Sequence, residues 1–287
     1  MEHAAKKASG SGSVARKKRQ WWWTTLMIVL MCAWVAISVV ATQFVVGIIM
    51  IRILGTAQFN KPVWTAIYSA ISYSLALLLV VFVPILLNKR FRTRNKNTPP
   101  AKKQSVHRKN LERKLSVAEQ RMELGLMGMP TWSDIGLAPI GFVASLLLAA
   151  VLVGIFTAFP WFDAEQVQNV GFNAYMVGRD RVIAFLTLVI MAPIAEEIIF
   201  RGWLYGKMRN QLLERIPEWL GIIISTLVVS ILFGVIHMQW NVGVNVFALS
   251  VVLCVLREIT GTIYAGILTH MIKNGVAFFL LYVVGMG

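Results

Sequence analysis

Long apolar runs govern what this chain can fold into. A helix needs about 20 residues to cross a bilayer, and runs near 24–51, 63–88, 137–160, 182–206, 219–238, 243–256 and 259–285 approach or exceed that length. The sixth run is short, and the stretch from Trp21 to Ile53 is too long for one untilted crossing, so an eighth helix has room there. Composition agrees, with 57% hydrophobic and 14% charged residues against roughly a quarter charged in soluble domains. The fold class is therefore all-α: a polytopic transmembrane helical bundle of about seven or eight helices, an integral, multi-pass membrane protein.

The charge is placed as topology requires. Of the basic residues behind the formal charge of +15, six fall in the tail (Lys6, Lys7, Arg16, Lys17, Lys18, Arg19) and twelve between Lys89 and Arg121. The positive-inside rule puts both segments, and with them the N-terminus, in the cytoplasm, with two crossings between them. The outer loop near Pro160–Arg181 carries Asp163, Glu165 and Asp180 and lacks this bias. The basic segments are suited to anionic lipid, and this distribution argues against nucleic-acid binding. Trp21, Trp22 and Trp23 read as an interfacial anchor. The first apolar run is too long for a cleaved signal peptide and is followed by further membrane segments. Cys32 and Cys254 form no metal or redox spacing and read as free thiols.

Composition also divides the chain. Residues 1–20 are rich in Lys, Ser and Gly and predict a disordered tail. Residues 21–88 hold two N-terminal transmembrane helices, and residues 89–129 a basic cytoplasmic linker. Within that linker Leu111, Leu115, Ala118, Met122 and Leu126 recur at helical spacing, which predicts an amphipathic helix on the membrane face. Residues 130–287 form a five-helix core, and no internal repeat is present.

Inside that core lie polar residues that packing does not explain. A charged side chain at membrane depth costs roughly 3 kcal/mol or more and usually faces a cavity or a partner. Glu196 and Glu197 are consecutive in an apolar run, followed by Arg201 in the pattern E-E-x-x-x-R. Successive helical residues point about 100° apart, so the two carboxylates cannot face one way. Glu197 and Arg201, at i and i+4 with the acid first, are set to pair, which leaves Glu196 free to face a polar cavity. Phe233 and His237 share a face of the next run, and His270 and Asn274 a face of the last. Alone, each histidine could serve as a hydrogen-bonding contact between helices. Together, Glu196 and His237 can activate a water, while His270 and Asn274 can stabilise the oxyanion of an attacked carbonyl. The zincin H-E-x-x-H helix is absent.

These three motifs, E-E-x-x-x-R, F-x-x-x-H and H-x-x-x-N, in that order on late apolar helices, resemble those of the CAAX prenyl protease and bacteriocin-processing (CPBP, or Abi) family of intramembrane proteases. The stretch from Leu256 to His270, with its Thr-Gly turn, resembles the family's approach to its third motif, and the similarity runs from about Leu124 to Ala277. The resemblance implies an intramembrane endopeptidase acting on a membrane-associated peptide or protein. Glu196 would be its acid/base, His237 the partner, and His270 and Asn274 the oxyanion site, with Glu197, Arg201 and Phe233 in support. It allows both a metal-independent glutamate mechanism and a zinc site held by Glu196, His237 and His270. An inactive immunity or scaffold protein of the same fold is the alternative, followed by a small proton-coupled transporter using Glu196 and His237.

Depth sets a condition on this reading. If the fourth helix ends shortly after Tyr205, Glu196 lies about ten residues, ~15 Å, from its cytoplasmic end, and a cavity around it would open toward the cytosol. His237 then falls late in a span starting near Trp219, toward the opposite face. Convergence requires a tilted, recessed or broken helix, or a different boundary.

Overall fold

The computed structural model describes residues 2–86, 121–164, 172 and 178–285, with the backbone alone described for 2–20. Among them are seven helices long and apolar enough to cross a membrane, and no strand. They are α1 (Glu2–Leu54, membrane-spanning from Trp21), α2 (Pro62–Leu86), α3 (Trp132–Phe156), α4 (Arg179–Leu213), α5 (Glu218–Ile236), α6 (Trp240–Thr260) and α7 (Tyr264–Val284). Each lies on one of the runs predicted above. The short sixth run becomes 21 residues, and the long first stretch is one helix rather than two. The α1 backbone is already helical from Glu2, where composition predicts a disordered tail. Extending an existing helix adds a hydrogen bond per residue without a second nucleation cost. The basic linker over 89–110, and the expected amphipathic helix up to residue 120, lie outside the described residues.

Pro62 starts α2 at a position where its missing N–H costs nothing. Thr131 and Asp134 form a reciprocal capping box at the start of α3. Gly261 ends α6 at φ 69°, a left-handed turn that glycine adopts without strain. Asp134 also accepts from the Thr262 hydroxyl (3.2 Å), which ties the start of α3 to the α6–α7 turn.

α3 packs against α6 and α7, α5 against α6, and α1 against α2. The N-terminal hairpin is joined to the rest by shared apolar packing. Val35 and Val39 of α1 and Val80 and Val81 of α2 are buried in one cluster with Leu204 and Met208 of α4, Phe233 of α5 and Val246 of α6.

Residues 121–128 form a strap across one end of the bundle. The Arg257 guanidinium donates to the carbonyls of Met122 and Glu123 (3.3 Å each) and of Gly261. Ile263 N–H donates to Gly125 O (3.0 Å), the Tyr264 hydroxyl to Gly128 O (3.1 Å), and Lys207 pairs with Glu123 (2.6 Å). A Cβ on Gly206 would meet the Glu123 carbonyl at 2.6 Å, so only glycine permits this close approach of strap to helix.

The expected end of α4 near Tyr205 is corrected: the helix continues to Leu213. Counted from the α4–α5 connection, Glu196 is 17 residues along α4 and His237 is 19 residues beyond Glu218, ~26 Å and ~28 Å respectively. The two side chains are level because α4 is longer than its apolar run, and no broken α5 is required.

Candidate active site

Three geometric facts build the site. α4 changes register around the glutamates, with π-helical turns over Leu186–Met191 and Ile198–Tyr205 flanking the α-helical Ala192–Glu197. Pro193 lies between them and has no N–H to give. The Ala192 N–H bonds the Thr187 carbonyl, so the Leu188 carbonyl would look next to Pro193. The Asn274 amide of α7 fills that gap, donating from Nδ2 to Leu188 O at 2.9 Å. Such π turns are common where a helix must re-aim functional side chains.

The glutamates then diverge as helical geometry demands. Glu197 points inward, with 1% of its side chain exposed. Its Oε1 accepts from Arg201 Nη1 (2.9 Å) and from His270 Nδ1 (3.1 Å). The Arg201 guanidinium, equally buried, lies 4.3 Å from the Phe233 ring centroid, a cation–π contact. Glu196 is 16% exposed and turns toward a cavity. Its Oε2 lies 3.8 Å from His270 Nε2, and its Oε1 accepts from the Tyr73 hydroxyl at 2.7 Å.

His237 caps the end of α5, and its Nδ1 lies 2.7 Å from the Phe233 carbonyl. A carbonyl only accepts, so Nδ1 carries the proton and Nε2 keeps its lone pair when the ring is neutral. Phe233 is buried edge-on to both histidines, with ring centroids 5.0 Å from His237 and 6.0 Å from His270. It spaces the two imidazoles as well as walling off His237.

Glu196, His237, His270 and Asn274 all line one cavity of about 400 Å³, together with Phe233 and Lys273. Glu197 and Arg201 stand behind it. The lining reaches Gln239 in the α5–α6 connection, at the end of the bundle opposite the strap. Two contacts were not legible in the motifs. Nothing in the sequence marks Tyr73 as a partner of Glu196, and Glu197 has an evident i+4 partner that hides its second one, His270.

The zinc donor set can be tested on this arrangement. His270 presents Nδ1 to Glu197 and holds Nε2 at 3.8 Å from Glu196 Oε2, a spacing that two ligands each ~2 Å from one ion can span. Among the described residues no three His, Cys, Asp or Glu side chains converge closely enough to hold a metal ion.

Fold and site together define a polytopic helical membrane protein with a polar cavity lined by one glutamate and two histidines. Residues 178–276, roughly a third of the chain, match the family model described as type II CAAX prenyl endopeptidase Rce1-like. That match agrees with the resemblance of the three motifs to the CPBP family. It begins later than Leu124, so α3 lies outside it. Neither a curated protein nor a solved structure matches the chain. The family supports a protease of the CAAX endopeptidase type, with a membrane-associated peptide as substrate.

Proposed function

We propose that this chain is an intramembrane endopeptidase whose water nucleophile is activated by Glu196 and His237. The observation that carries this reading is the meeting of the three motifs, from three separate helices, at one cavity of about 400 Å³. Two proton acceptors face it, the Glu196 carboxylate and, in neutral His237, Nε2. A water between them loses a proton to Glu196 as its oxygen attacks the scissile carbonyl carbon. The carbonyl oxygen becomes the oxyanion, facing the free N–H of the Asn274 amide and His270 Nε2 when that nitrogen carries a proton. Glu196 then returns the proton to the departing nitrogen as the C–N bond breaks, leaving an acid and an amine. Glu197 serves this chemistry by holding His270 through Nδ1, the service a carboxylate performs for an oriented imidazole.

The test uses purified protein in nanodiscs and a farnesylated peptide ending in a CAAX sequence, with product termini read by mass spectrometry. General-base removal typically costs 10²–10⁴-fold, so Glu196→Gln should lower cleavage by about that factor while its thermal unfolding stays within a few degrees of the natural protein. Unchanged cleavage by the variant would refute the mechanism. No cleavage by the natural protein would count against the endopeptidase reading for this substrate.

A further inference from the structure

The segment that matches the family begins at residue 178, yet the hydrogen bond to Glu196 comes from far upstream. Tyr73 lies on α2, with its hydroxyl 2.7 Å from Glu196 Oε1. A carboxylate only accepts, so the phenol is the donor. The same cavity wall carries Thr42 and Gln43 of α1 and Ser69 and Ser72 of α2. The hairpin is thus a polar face of the site on one side and part of the apolar cluster with α4 and α5 on the other.

We propose that Tyr73 is a positioning residue for Glu196, which makes the α1–α2 hairpin a component of the active site and not only a membrane anchor. The consequence for catalysis rests on the endopeptidase reading above; the contact itself does not. A glutamate side chain has several rotatable bonds, and a base must hold one oxygen on the nucleophile to within a fraction of an ångström. Tyr73 occupies Oε1 and so commits Oε2, 3.8 Å from His270 Nε2, to the cavity. The other charged or titratable side chains on this cavity are His237, His270, Lys273 and Tyr68. Among the described residues, Tyr73 is the hydrogen-bond donor to Glu196.

Tyr73→Phe removes the hydroxyl and keeps the ring. Hydrogen bonds to charged groups are worth enough to change a rate by roughly ten- to hundredfold, so kcat on the farnesylated peptide should fall by about that factor, with KM within about twofold. A second readout needs no turnover. The infrared difference between natural protein and Glu196→Gln isolates the carboxylate stretch of Glu196, and this band should shift in Tyr73→Phe but not in Tyr282→Phe, a tyrosine buried with Phe278 and Val189 away from the cavity. Natural kcat together with an unshifted band would overturn the proposal. If the natural protein leaves the peptide intact, the endopeptidase reading suffers while the infrared band still decides the Tyr73 contact.

Discussion

Arg201 and Glu197 form a buried ion pair, 1% exposed on each side, in a segment that leaves little water to solvate either charge. Burial of this kind makes the pair fragile to half-removal: deleting one partner typically costs about 3–5 kcal/mol because the other is left charged and alone, whereas replacing both by apolar groups of similar size is often neutral. Arg201→Met should therefore destabilise the protein by about that amount in reversible detergent unfolding. Glu197→Gln combined with Arg201→Met should cost distinctly less than Arg201→Met alone. The pair differs from an ordinary brace in that Glu197 Oε1 is shared with His270 Nδ1. The double variant should thus recover stability without recovering cleavage, since a neutral amide is a poorer anchor for the imidazole. Equal recovery of both would show that the pair serves packing alone.

At the level of elements, α4 carries a defect that α7 repairs. Pro193 deprives the Leu188 carbonyl of a donor and Asn274 supplies one. Asn274→Ala should then destabilise the natural chain by about 1 kcal/mol, the cost of a lost hydrogen bond to a half-buried carbonyl. In a Pro193→Ala background, where residue 193 regains its N–H, the same substitution should cost much less. Additive effects in thermal unfolding would reject this account. The repair also shows which parts of the structure the sequence could reveal. The seven helices were legible because apolar runs of bilayer length leave the chain one economical solution, and Glu197–Arg201 because i and i+4 are neighbours on any helix. Asn274 was readable as a cavity residue, but its bond to Leu188 depends on a π turn that has no sequence periodicity. Tyr73 was invisible for a different reason. It lies on an apolar helix among many aromatic residues, and only the packing of α2 against α4 makes it a partner of Glu196. The end of α4 was misplaced because hydropathy falls at Lys207 while the helix goes on to Leu213.

For the molecule as a whole, strap and cavity opening are placed at opposite ends. The strap at 121–128 covers the end where α4 meets α5, and Lys207, Arg209 and Arg257 cluster there in pairs with Glu123, Glu218 and Glu258 or on strap carbonyls. The cavity lining runs the other way, to Gln239. The positive-inside rule would put the basic linker, and the strap that follows it, in the cytoplasm; water would then enter the site from the far side of the membrane or from within the bilayer. Single-cysteine labelling in intact cells separates these arrangements. The native thiols, Cys32 and Cys254, lie within membrane-spanning helices, so a membrane-impermeant maleimide should report on added cysteines. Ser105→Cys in the linker should react only after the membrane is opened. Gln239→Cys at the cavity end, and Gln58→Cys between α1 and α2, should react in intact cells. Labelling of Ser105→Cys and Gln239→Cys from the same side would break the link between basic charge, strap and cavity, and would return the opening to the cytosol.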